Sequence, residues 1–149
     1  MRVLVALVLL ATAVGKSLDL TGFAAVVGTY QVLPEWSWYP AGLGLTITEW
    51  VVGGWLLIGR HVSYAALAAA ALHTLFTGWA SLALVRGLEI PNCGCFGVFY
   101  TRPLTLSTVY EDVVMLVLCL TVYGLARGHQ TATQVNKAPG PAKGDAAKL

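Results

Sequence analysis

Two cysteines one residue apart stand in Ile90-Pro91-Asn92-Cys93-Gly94-Cys95-Phe96-Gly97. The chemistry such a pair can carry is thiol–disulfide exchange. A bond across a single intervening residue closes almost no loop, so chain entropy gives it little structural value. Its geometry must be strained, because disulfides prefer Cα atoms about 4.4–6.8 Å apart and a restricted dihedral. Gly94 is the residue type that tolerates such a turn, with Phe96 and Gly97 shaping its exit. Strained disulfides are the labile ones, used in catalysis or regulation. An inert or structural pair is the plainer alternative. Metal binding is disfavoured, since two thiolates do not close a zinc site and His61 and His73 lie elsewhere. Cys119 falls midway along an apolar stretch and reads as a small buried hydrophobe. Arg86 and Arg102 flank the pair and either lower a thiol pKa by proximity or act only as interfacial anchors.

The elements that must hold this pair are hydrophobic. Of 149 residues, 57% are hydrophobic and 11% charged, where a soluble domain carries about 25% charged. Mean hydropathy is +0.72. A soluble domain of this size could not hide so much apolar surface. The net charge of +2 and the scattered Lys and Arg give no phosphate-binding patch, which excludes a nucleic-acid reading. An all-α integral membrane four-helix bundle is expected, with spans over 3–17, 41–59, 62–85 and 109–126. The first is short and leads into a second apolar piece, 20–33, expected to be a tilted or interfacial helix. The segment 34–40 (PEWSWYP) breaks the chain, and its Trp36, Trp38 and Tyr39 suit a membrane–water interface. Thr108-Val109-Tyr110-Glu111 fits a capping box opening the last span, with Glu111 and Asp112 in its first turn. From Gly128 the polar, Pro- and Gly-containing sequence is expected to be a disordered tail, giving a transmembrane domain over 1–127 and a tail over 128–149. There is no internal repeat. A cleavable signal peptide ending near Ala11-Thr12-Ala13 is the competing reading of the first span.

Four spans put both termini on one side, with Arg2, Arg60, Arg127, Lys137, Lys143 and Lys148; Arg86 and Arg102 lie on the other. The excess of positive charge places the termini inside and the 86–105 loop, with its cysteines, outside the cytoplasm. Thiols rarely persist there unless they are used.

Lys16, Asp19 and Glu49 stand at or near membrane depth, where charges are costly and face the bundle interior or a partner. Lys16 and Asp19 share a face and can pair if the helix continues; Glu49 can pair with Lys16 across the bundle. These charges read either as a structural ion pair that fixes helix packing or as a proton or quinone site beside the thiol loop. His73 reads as a satisfied bundle histidine, and Gly53-Gly54 and the Ala-rich third span as close-packing surfaces.

The order of these features resembles the methylamine-utilisation MauE family, within the DoxX-like group of small four-helix membrane proteins. The matching elements are Lys16, Tyr30-Gln31-Val32-Leu33-Pro34, Glu49 followed by Gly53 and Gly59, Cys93-Gly94-Cys95-Phe96-Gly97, Pro103-Leu104 and Asp112, over residues 2–127. The C-G-C-F-G element is the specific part. The resemblance implies a helper that matures methylamine dehydrogenase, whose small subunit is rich in disulfides, together with a thioredoxin-like partner, MauD. It also implies a general plan similar to quinone-linked disulfide-generating membrane proteins. The expected function is therefore membrane thiol–disulfide redox chemistry, a possible oxidoreductase activity. Cys93 and Cys95 would be the reacting residues, Lys16, Asp19, Glu49 and Asp112 would support them, and a quinone is the cofactor the reading leaves room for. Two rivals remain, a non-enzymatic assembly or docking factor and a small transporter using Lys16 and Glu49.

Overall fold

The structure is a computed structural model that describes the backbone of residues 1–137. Its helices are α1 (Arg2–Leu18), α2 (Leu20–Thr29), α3 (Trp38–Ile58), α4 (Val62–Val85) and α5 (Leu106–Lys137), with a 3-10 turn at Glu35–Ser37. Helices α3, α4 and the Leu106–Gly128 part of α5 are each long and apolar enough to cross a membrane. Together α1 and α2 make a fourth candidate span, broken by a 103° bend. The all-α bundle and the short extra helix after the first span are therefore as expected. Large apolar side chains remain exposed on the outer faces, such as Leu7 on α1, Val51 on α3, Leu67 on α4 and Val117 on α5. Lipid covers such surfaces in a membrane bundle.

The bend has a local cause. Asp19 leaves the helical region (φ −146°, ψ 83°), and its carboxylate accepts the Gly22 N–H at 2.8 Å, capping α2. This corrects the expected Lys16–Asp19 pairing: the helix does not continue, and Lys16 forms its ion pair with Glu49. The start of α5 is also shifted. It begins at Leu106, so Thr108 is its third residue rather than its cap, and the first turn holds no acid. Thr108 Oγ1 instead accepts the Thr105 N–H at 3.4 Å, the reciprocal half of a capping box moved three residues upstream. Glu111 is thereby freed for a two-pronged ion pair with Arg102, at 2.7 and 2.8 Å. At its other end α5 runs through Gly128 to Lys137, past the expected domain boundary. The expectation of disorder for the remainder of the tail, 138–149, lies outside the described residues.

The core is in two parts. One, built from Val5, Leu9, Val52, Leu56, Ala65, Ala66, Ala69 and Ala70 of α4 and Cys119, fills the end of the bundle where the chain starts. The guanidinium of Arg2 lies against Gly59 there, so the N-terminus sits beside the α3–α4 turn. Cys119 is 1% exposed, the buried hydrophobe its sequence suggested. Gly53 is a close-packing position, since a Cβ there would come within 2.9 Å of Leu10, but nothing approaches Gly54. The Gly53-Gly54 surface is thus half of what was expected. The second part of the core holds Tyr30, Ala80, Ala83, Ile90, Cys93 and Leu104. It lies beneath the 86–105 loop and makes that loop part of the fold.

Candidate functional site

The loop that carries the cysteines is held at both ends. Its start is fixed by Arg86, which donates to the carbonyls of Tyr30 (3.3 Å) and Gln31 (3.2 Å) at the end of α2. Its two limbs are joined by Cys93 N–H to Arg102 O (2.8 Å) and Leu104 N–H to Ile90 O (2.9 Å). Between them the turn is shaped by Asn92. Its Oδ1 accepts from the Gly94 N–H at 3.0 Å and its Nδ2 donates to Gly97 O at 3.2 Å. Gly94 and Gly97 both sit at φ +75°, a conformation that glycine adopts without a Cβ penalty.

The turn is then pressed into the bundle. A Cβ on Gly97 would strike the backbone of Gly15, and one on Gly15 would strike the Phe96 carbonyl. The turn therefore touches the end of α1 backbone to backbone. A Cβ on Gly94 would meet Val26 at 2.8 Å and Phe23 at 3.1 Å, both on α2. From α2, the Tyr30 hydroxyl donates to the Cys93 carbonyl at 2.8 Å. The bend at Asp19 is what carries α2 to the loop.

Cys93 and Cys95 are free thiols with their sulfurs 2.9 Å apart. A hydrogen bond from the Cys95 thiol stabilises a thiolate at Cys93, the Cys95 backbone N–H supports it further, and Arg102 adds a smaller attraction. Together they bring Cys93 from an ordinary 9.0 to about 6, against opposing burial and Asp112. The same hydrogen bond, with burial, pushes Cys95 upward. Arg102 thus acts on the thiol while paired with Glu111, whereas Arg86 is an anchor. The pair can hold one thiolate and one thiol at neutral pH, the state from which exchange proceeds. In reduced Cys119→Ala protein, alkylation of Cys93 should therefore rise with pH to half its plateau near pH 6, because the thiolate forms above that pKa. Replacing Cys95 by Ala should move the midpoint towards 9. A wild-type midpoint near 9 would contradict this arrangement.

Beneath the thiols lies a cavity of about 140 Å³. Cys93, Cys95, Lys16, Glu49, His73 and Asp112 all line it, among the aromatic rings of Phe23, Phe76 and Trp79. The structure therefore brings the expected residues Lys16, Glu49 and Asp112 together under the cysteines. Asp19 is set apart from them as the α2 cap. Lys16 and Glu49 are 3% and 1% exposed. The Lys16 ammonium also lies 5.3 Å from the Phe23 ring centre and 5.2 Å from that of Phe76. His73 is not the satisfied histidine that was expected. It is 5% exposed, and neither ring nitrogen has a hydrogen-bond partner among the described residues. Its Nδ1 stands 3.6 Å from Asp112 Oδ1, too far for a hydrogen bond. Gly15, Tyr30, Asn92 and Phe23 are the site residues that sequence reasoning passed over. Tyr30 carried a signal as part of the Tyr30–Pro34 match, and Asn92 only as a member of the Ile90–Gly97 segment.

Among known proteins, the chain matches the family described as methylamine utilisation protein MauE over residues 1–125. It is similar to the methylamine utilization protein MauE of Paracoccus denitrificans, 30% identical over 122 residues. That alignment covers 82% of this chain and spans 66% of the relative's length. No solved structure matches the chain.

Proposed function

The chain belongs to the MauE family, and from that premise we propose that it is a membrane thiol–disulfide redox protein. Its Cys93/Cys95 pair exchanges disulfides with a thioredoxin-like partner and so supports maturation of an exported protein. The observation that carries this reading is the free dithiol with sulfurs 2.9 Å apart, in a turn fixed by Asn92, Tyr30 and two positive-φ glycines. An inert pair would not need a turn built so tightly around it.

In the oxidised pair, a partner thiolate attacks one sulfur and a mixed disulfide forms while the other sulfur leaves as a thiolate. The partner's second thiol then displaces the attacked sulfur. The partner ends as a disulfide and the pair as a dithiol, with two electrons and two protons transferred to it. In the reverse direction, with an oxidised partner, the attack is assigned to Cys93, the thiolate of the reduced pair, and Cys95 resolves the mixed disulfide. Gly94, Phe96 and Gly97 set the turn; Lys16, Glu49 and Asp112 form its floor.

The loop is assigned to the extracytoplasmic side, with both termini cytoplasmic, because the basic residues favour the opposite end of the bundle. One experiment examines both points. Quenched spheroplasts of a Cys119→Ala strain are treated with a membrane-impermeant maleimide mass tag, with and without prior reduction. The expected result is labelling of both cysteines only after reduction. Two thiols that are accessible without reduction and inert to oxidants would overturn the redox reading. Labelling only after lysis would overturn the sidedness.

A further inference from the structure

We propose that the cavity beneath the thiols is a binding site for the ring of a quinone, held by His73, Lys16 and Glu49; the inference rests on the redox reading above. Four observations lead to it. The first is size: about 140 Å³ is close to the volume of an engineered protein cavity that holds one benzene ring. The second is the wall, in which Phe23, Phe76, Trp79 and Val27 offer flat apolar surface. The third is unmet hydrogen bonding. Both nitrogens of His73 and Oε2 of Glu49 are buried without a partner among the described residues, a costly condition that a polar ligand relieves.

The fourth is charge. A cationic ligand is disfavoured because the cavity already contains its own cation, Lys16, seated between two aromatic rings and paired with Glu49. An anionic ligand would meet Glu49 and Asp112. A neutral ring with two opposed carbonyl oxygens suits what is left: acceptors for the Lys16 and His73 donors, and, once reduced, hydroxyls for the Glu49 oxygen and the second His73 nitrogen. The location fits the chemistry, since Cys93 and Cys95 line the same space. Closing their disulfide releases two electrons and two protons, and conversion of a quinone to its hydroquinone consumes both.

The site is tested by binding, without turnover. Purified Cys93→Ser/Cys95→Ser protein, in which no electrons can move, is titrated with decylubiquinone while tryptophan fluorescence is followed. Saturable quenching is expected. His73→Leu, added to this background, should weaken it by about tenfold or more through loss of buried hydrogen bonds. Ala80→Phe, which fills the cavity from α4, should do the same. Identical titrations in the background protein and the Ala80→Phe protein would show partition into detergent and overturn the proposal. If a variant does not fold, a photoreactive azidoquinone on the otherwise unaltered background protein decides, with label expected on cavity-lining residues such as Phe23, Val27, His73, Phe76 or Trp79; label confined to residues outside that lining, or none, overturns it. Exchange of the wild-type thiols with glutathione disulfide is measured separately. Intact exchange without quinone binding defeats only the site, and quinone binding without exchange defeats only the redox reading.

Discussion

Replacing Lys16 by Met, or Glu49 by Leu, is expected to destabilise the bundle by about 3–5 kcal/mol, whereas replacing both together should cost far less. Each single change leaves the other charge buried and alone, at 1% or 3% exposure. The loss is largest for Lys16→Met. It strips Glu49 of its ion-pair partner while Oε2 already lacks a hydrogen bond. It also removes the ammonium held between Phe23 and Phe76. In a chain of this length the single variants should melt roughly 10 °C or more below wild type in detergent. The double variant should recover most of that. A Lys16→Met protein as stable as wild type would mean that the pair is hydrated and the interior wet. The double variant also separates two roles. If the charges only fix helix packing, it should keep exchange activity; if they form the floor of the site, it should fold and lose the ligand.

The sequence made much of this site legible because its signals were local. The loop limits followed from where apolar runs stop, and the structure places the loop between Val85 and Leu106. Lys16 and Glu49 were visible as charges with no water to face, so a mutual pair was one of few solutions. What escaped were contacts between distant backbones. Gly15 sits in an unremarkable helix, and only the approach of the Phe96–Gly97 turn explains why a side chain there is excluded. The break at Asp19 was hidden because Lys16 and Asp19 also have the spacing of a helical ion pair; the cap to Gly22 won over continuation. At Thr108 the capping pattern was real in type but misplaced, since Thr105 three residues earlier allows the same motif. His73 was misjudged for a different reason. Whether a buried imidazole finds partners depends on what faces it from other helices, here an aspartate just out of reach and open space.

Loss of either Cys93 or Cys95 is expected to abolish maturation of the exported substrate, with the two single variants differing in what they trap. Neither can hold an internal disulfide, so neither can pass on an oxidising equivalent. Cys95→Ser retains Cys93, and the serine hydroxyl can still donate to its thiolate, so attack on the disulfide of an oxidised thioredoxin-like protein, which releases that protein's other thiolate, should leave mixed disulfides that accumulate. Cys93→Ser leaves Cys95, a sulfur with burial against its ionised form, and should trap less. The size of the difference can be bounded. At pH 7 a thiol of pKa about 6 is almost fully ionised, while one of pKa 9 is about 1% ionised. Lower basicity makes each thiolate a weaker nucleophile, which offsets roughly twentyfold of that advantage. The expected excess of trapped species in Cys95→Ser is therefore at least about fivefold, with fivefold the limit for an unshifted Cys95. Non-reducing gels of quenched membranes, on the Cys119→Ala background, give this ratio directly. Full complementation by both single variants would remove the thiols from the function and leave the bundle as a docking surface. A reversed ratio would keep the redox reading but make Cys95, the less buried residue of the two, the one the partner meets first. Access would then outweigh ionisation in choosing the attacking atom.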